Sequence, residues 1–106
     1  MILPNSFQDK IVLVTGGGSG IGFSIAQQFL ENGAKVIITG RNEDKLEKAI
    51  EKLKAFGEVT SHICDIREVE QITSLVEYIQ SSFGKLDILI NNAGGQFPSL
   101  SKDMSI

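Results

Sequence analysis

The segment Lys10–Thr15 (KIVLVT) is aliphatic and β-branched after its first residue, and it breaks directly into a glycine cluster running from Gly16 to Gly22. An unbroken apolar run of this length reads as a strand buried on both faces. From Gly20 the apolar spacing changes to about four, with Ile21, Ile25 and Phe29/Leu30 on one face, so the glycines turn a buried strand straight into a helix. Asn32-Gly33 then supplies a left-handed stop. The alternation repeats. Lys35–Thr39 (KVIIT) reads as a second buried strand, and Asn42 caps a helix with Leu46, Ile50 and Leu53 inward, Asp44 and Lys48 paired outside, and Gly57 closing it. Val59–Cys64 is a third strand, Arg67–Phe83 a third helix with Val69, Ile72, Val76 and Ile79 facing inward, and Leu86–Ile90 (LDILI) a fourth strand. Connections this short force parallel strands and right-handed crossovers, which predicts a doubly wound α/β sheet of strand order 3-2-1-4.

Composition removes several classes of function. With 10 Lys+Arg against 13 Asp+Glu the chain carries a net charge of −3, which leaves no broad basic field for nucleic acid or an anionic membrane. Its single cysteine, Cys64, can build neither an internal disulfide nor a thiolate metal site, and suits a reducing compartment. No window approaches the roughly 18 apolar residues of a membrane span, and Met1–Gln8 lacks the basic-then-apolar form of a leader, so a cytoplasmic protein is expected. The sequence ends in PSLSKDMSI, where Ser99 or Ser101 is placed to cap a further helix. The chain therefore reads as a domain truncated after its fourth strand. That would leave the apolar LDILI at a sheet edge, with self-association expected.

The glycine cluster, Thr15 to Gly22 (TGGGSGIG), lies where free amides and a helix dipole favour an anion such as a pyrophosphate, and where a Cβ would obstruct a ligand. The strict G-x-G-x-x-G spacing fails, because Ile21 stands at the third glycine position; the spacing is T-G-x-x-x-G-x-G. A triphosphate-binding loop fails as well, since Phe23 stands where a lysine is required. A glycine-rich turn can also be a plain tight connection.

Further candidates fall at the carboxyl ends of the later strands, the edge where open α/β sheets bind ligands. Gly40-Arg41 follows strand two, where a carboxylate would be expected to hold a ribose 2′-hydroxyl. Arg41 is instead suited to a 2′-phosphate, a charge-assisted contact of about 1.5 to 3 kcal/mol, or to a solvated surface position. Asp65, after strand three, is placed either to accept from an exocyclic adenine amine or to cap the turn at Ile66-Arg67. Asn91-Asn92 and Ala93-Gly94-Gly95, after strand four, combine side-chain amides with small residues against which a ribose could rest, or form an ordinary turn. His62 has no carboxylate partner at useful spacing and reads as structural or surface, Cys64 as a small core residue, and Tyr78, facing Ser82, as packing or surface.

Through TGGGSGIG, CDI at Cys64 to Ile66 and NNAG at Asn91 to Gly94, the chain resembles the amino-terminal half of the short-chain dehydrogenase/reductase family, from about Phe7 onward. The resemblance implies a Rossmann-type NAD(P)-binding domain over residues 1–106. Gly16, Gly18, Ser19, Gly20, Ile21 and Gly22 would lie along the pyrophosphate and adenosine ribose, Asp65 and Ile66 at the adenine, and Asn92, Ala93 and Gly94 at the ribose nearer the nicotinamide. Arg41 looks like the variant that prefers NADP over NAD. The glycine loop lacks the extra basic residue that many NADP-dependent members carry beside its last glycines, so this preference would rest mainly on Arg41. The run GGQFPS (Gly94 to Ser99) is more similar to the enoyl-thioester reductase branch, such as the 2,4-dienoyl-CoA reductases, than to an average member.

The family's catalytic serine, Tyr-x-x-x-Lys pair and asparagine lie downstream of NNAG, so no catalytic residue is expected within these residues. The implied function is hydride transfer between NADP(H) and a carbonyl or an enoyl, including an acyl thioester, by a homo-oligomer acting on a small molecule. The alternative is a non-catalytic dinucleotide-binding or self-assembling module of the same fold.

Overall fold

The computed structural model describes residues 6–18 and 20–92. Four strands and three helices alternate: β1 (Ile11–Thr15), α1 (Gly20–Glu31), β2 (Lys35–Gly40), α2 (Glu43–Leu53), β3 (Val59–Ile63), α3 (Val69–Phe83) and β4 (Ile88–Asn91). The strands form one parallel sheet in the order β3-β2-β1-β4, the doubly wound arrangement that the alternation predicts.

Strand alternation splits the core into two layers. Val12 and Val14 of β1 with Val36 and Ile38 of β2 pack under α1 and α2, against Ala26, Leu30, Leu46, Ala49 and Leu53. On the other face Ile11, Leu13 and Ile37 pack under α3, against Ile72, Leu75 and Ile79. β1 and the middle of β2 are buried on both faces, which is why they read as continuous apolar runs.

Several helix faces differ from those that spacing alone suggests. In α1 the buried residues are Gly22, Ala26 and Leu30, whereas Ile21 is 72% exposed. Small residues take the inner stripe because the helix begins hard against the glycine turn. In α3 Leu75 is fully buried and Val69, at the first position, is 75% exposed. α2 ends at Leu53, and Gly57 lies beyond it packed against Leu30 rather than closing the helix. Asp44 and Lys48 form no ion pair among the described residues; the pair found there joins Glu51 to Lys54, the residue after α2. β4 begins two residues later than its apolar pattern, because Leu86 is buried ahead of it and Asp87 makes the first contacts to β1. There the Asp87 N–H donates to Ile11 O (2.9 Å), and Asp87 Oδ2 accepts from Ile11 N (2.8 Å) and pairs with Lys85 (3.2 Å).

Candidate cofactor site

At the carboxyl ends of the strands, one rung of the sheet consists entirely of polar residues: Asn91, Thr15, Thr39 and His62 are aligned across β4, β1, β2 and β3. The apolar core stops here. Thr15 Oγ1 donates to Asn91 Oδ1 (3.0 Å), tying β4 to β1. Thr39 Oγ1 is buried and, apart from a weak contact with the Cys64 thiol, has no hydrogen-bond partner among the described residues.

The glycine turn is built from backbone contacts. Gly16 and Gly17 donate their amides to Thr39 O (2.8 and 3.3 Å), so those two N–H groups are spent on the protein. The amides receptive to an anion are those that open α1, whose first turn has no helical carbonyl to bond. Gly16 and Gly20 have positive φ (67° and 60°). A Cβ on Gly22 would stand 2.2 Å from Gly16 O and 2.7 Å from Asn92 Nδ2, and one on Gly17 would stand 2.6 Å from Ile38. These two glycines are thus required by protein packing, before any ligand is considered. Asn92 Nδ2 donates to Gly16 O (3.2 Å), so the loop after β4 braces the turn after β1 across 76 residues of sequence.

Beside this turn, at the ends of β1, β2 and β3, opens a cavity of about 380 Å³. Thr15, Gly16, Thr39, Gly40 and Arg41 line it from β1, β2 and the residues that follow them, and Cys64, Asp65, Ile66 and Arg67 from the segment after β3. Its size lies within the range of small-molecule sites, about 300 to 1,000 Å³. A wall that combines Cys64 and Ile66 with the Arg41 guanidinium and the Asp65–Arg67 pair has the mixed apolar and polar chemistry that suits an adenine nucleotide. Ile21 stands exposed on the first turn of α1, free of the core. Ser19, Ala93 and Gly94, also expected at the site, lie outside the described residues.

Asp65 has a committed partner that sequence did not reveal. Its Oδ1 accepts from the Arg67 N–H and Nε (both 3.0 Å), and its Oδ2 from Arg67 Nη2 (2.8 Å). These bonds pull the carboxyl down to about 2, with the charges of Arg67 and Arg41 contributing. Of the two expected roles, the turn-capping one is formed here, while α3 itself starts from Glu68. Gln71 Oε1 accepts from the Asp65 N–H (2.7 Å) and completes the turn. His62 stacks on Tyr78 with ring centroids 4.9 Å apart, its Nε2 lies 3.4 Å from Ser74 Oγ, and burial lowers its basicity. Tyr78 also meets Phe83 edge-on, so it has the packing role that its place in a helix suggested. Burial raises the Cys64 thiol, Asp65's charge adds to this and the Thr39 hydroxyl opposes it. No group of three metal-ligating residues and no helix long and apolar enough to cross a membrane occurs among the described residues.

A parallel sheet ordered 3-2-1-4, with a glycine turn between its first strand and first helix and an open cavity at its carboxyl edge, defines a Rossmann-type nucleotide-binding fold. The chain belongs to the short chain dehydrogenase family, which it matches over residues 10–106. It is 40% identical over 103 residues to a peroxisomal 2,4-dienoyl-CoA reductase of Arabidopsis thaliana, covering 96% of this chain and 35% of that protein. Among solved structures it is similar to a citronellol catabolism dehydrogenase, AtuB, of Pseudomonas aeruginosa, with TM-score 0.81 and 39% identity over 84% of this chain and 38% of that one. It is likewise similar to the NADP active-site complex of Pseudomonas aeruginosa RhlG, with TM-score 0.81 and 36% identity over 89% of this chain and 38% of that one. The chain thus spans little more than a third of the length of these relatives.

Proposed function

We propose that this chain is the cofactor-binding domain, over residues 1–106, of an NADP(H)-dependent oxidoreductase that transfers hydride to or from a carbonyl or an enoyl group. The observation that carries the reading is the cavity lined by Gly16 of the glycine turn and by Arg41, which follows a β2 strand that presents no carboxylate to a ribose 2′-hydroxyl. The opening amides of α1 would hold the pyrophosphate, Ile66 and Asp65 would border the adenine, and Arg41 would meet the 2′-phosphate. Asn92 would keep the glycine turn in place beneath the ribose nearer the nicotinamide. Bound there, the nicotinamide supplies the hydride chemistry, while the protein holds and orients it.

The likeness to a 2,4-dienoyl-CoA reductase, together with GGQFPS, favours an enoyl thioester among the substrates. A homo-oligomer in the cytoplasm is the accompanying expectation; the peroxisomal relative makes the peroxisome the competing location. Calorimetric titration of this chain with NADPH and NADH at low salt tests the cofactor assignment. A preference for NADPH of about tenfold or more is expected from one charge-assisted phosphate contact. Saturable binding of neither overturns the assignment, and tighter binding of NADH removes Arg41 from its role.

A further inference from the structure

Arg41 also lines a smaller cavity, of about 190 Å³. It shares Gly16, Gly40 and Arg41 with the larger one, and its remaining wall includes Gly18, Asn42 and Lys45. Two cationic residues from different elements therefore line it, Arg41 after the end of β2 and Lys45 in the first turn of α2, and no carboxylate does. Neither Arg41 nor Lys45 takes part in an ion pair among the described residues. The position of Lys45 is set by backbone. Asn42 Oδ1 accepts from the Lys45 N–H (3.0 Å), which fixes the start of α2, and a Cβ on Gly18 would lie 3.5 Å from Lys45 Cβ. The glycine turn and the first turn of α2 thus both border a small recess that shares Gly16, Gly40 and Arg41 with the larger cavity.

We infer that Lys45 is a second specificity-determining cation, which together with Arg41 holds a phosphate monoester on the adenosine ribose of the cofactor. This rests on the NADP reading above and deepens it. The glycine loop carries no basic residue beside its last glycines, and Lys45 supplies that charge from the facing helix instead. A dianion between two uncommitted cations gains from both, whereas a ribose hydroxyl gains little, so the contribution is specific to the phosphorylated cofactor.

The test measures affinity of the full chain for NADPH and NADH in the parent and in Lys45→Gln, Lys45→Arg, Arg41→Gln and Lys48→Gln. Lys48 lies on the same helix but does not line the recess. Lys45→Gln is expected to weaken NADPH by about tenfold at low salt, less at high salt, and to leave NADH within about twofold. Lys45→Arg should retain the preference and Lys48→Gln should match the parent. If Arg41→Gln lowers the preference but Lys45→Gln does not, the inference falls and the NADP reading stands. Equal weakening of both cofactors by Lys45→Gln, or a Lys45→Arg variant as poor as Lys45→Gln, overturns it as well. If the parent shows no preference, both readings fall together.

Discussion

Replacing Gly22 by alanine sets two opposing effects against each other, and the structure decides which prevails. Inside a helix, Gly→Ala is normally stabilising by about 1 kcal/mol, through reduced backbone entropy in the unfolded chain. Here the new methyl would sit 2.2 Å from Gly16 O, 2.9 Å from Gly16 C and 2.7 Å from Asn92 Nδ2. All three are closer than real Cβ contacts come, and two of the atoms are backbone, so relief requires moving the α1 terminus away from the turn by roughly 1 Å. Overpacking of this kind costs about 1 to 3 kcal/mol or more, and losing the Asn92–Gly16 hydrogen bond costs about 1 more. The net expectation is a loss of about 2 kcal/mol, or a fall of about 8 to 15 °C in melting temperature for a domain of this size. Urea denaturation and thermal melts followed by circular dichroism measure it, with Gly20→Ala as the comparison. At Gly20 nothing lies within 4 Å of a Cβ and only the positive φ of 60° opposes the change, so about 1 kcal/mol is expected there. A Gly22→Ala chain as stable as the parent would refute the close approach on which the site's geometry depends.

Two further outcomes follow from the titrating groups. Because the folded carboxyl of Asp65 titrates at about 2, below its ordinary 3.8, the unfolded chain binds more protons between these values. Its contribution to stability is therefore complete above about pH 4 and is lost as pH falls through about 2. In Arg67→Ala the Asp65 carboxyl resonance should move part of the way back toward its ordinary position, because the backbone N–H of residue 67 still donates to it, and the acid limb of stability should flatten in part, leaving also the share due to Asp87, which Ile11 N–H and Lys85 hold low. An Asp65 that still titrates near 2 without Arg67 would remove the proposed cause. The Cys64 thiol, buried and raised, should react with an aromatic disulfide reagent at pH 8 at least about a hundredfold more slowly in the folded chain than in urea. Comparable rates in the two states would show that it is not enclosed.

Strand and helix types, their order, the parallel sheet and the glycine turn were all legible in the sequence, since each depends on local periodicity or on a short motif. KIVLVT and KVIIT are buried on both faces, and only central parallel strands tolerate that. Asn42 and Gly33 punctuate helices through contacts that reach three or four residues, a range that spacing describes. What spacing could not decide was which of two equivalent apolar residues turns inward. Ile21 and Val69 satisfy the helical period, yet both occupy first turns and stand exposed. Tertiary structure alone brings Asn92 onto Gly16 and Lys45 to the recess beside Arg41. In sequence, Lys45 is one cation in a helix of alternating charges, and its only clue was a capping residue three positions earlier. Periodicity records which face of an element is apolar, but a site is made where the ends of several elements meet, and those distances exist only once the sheet has closed.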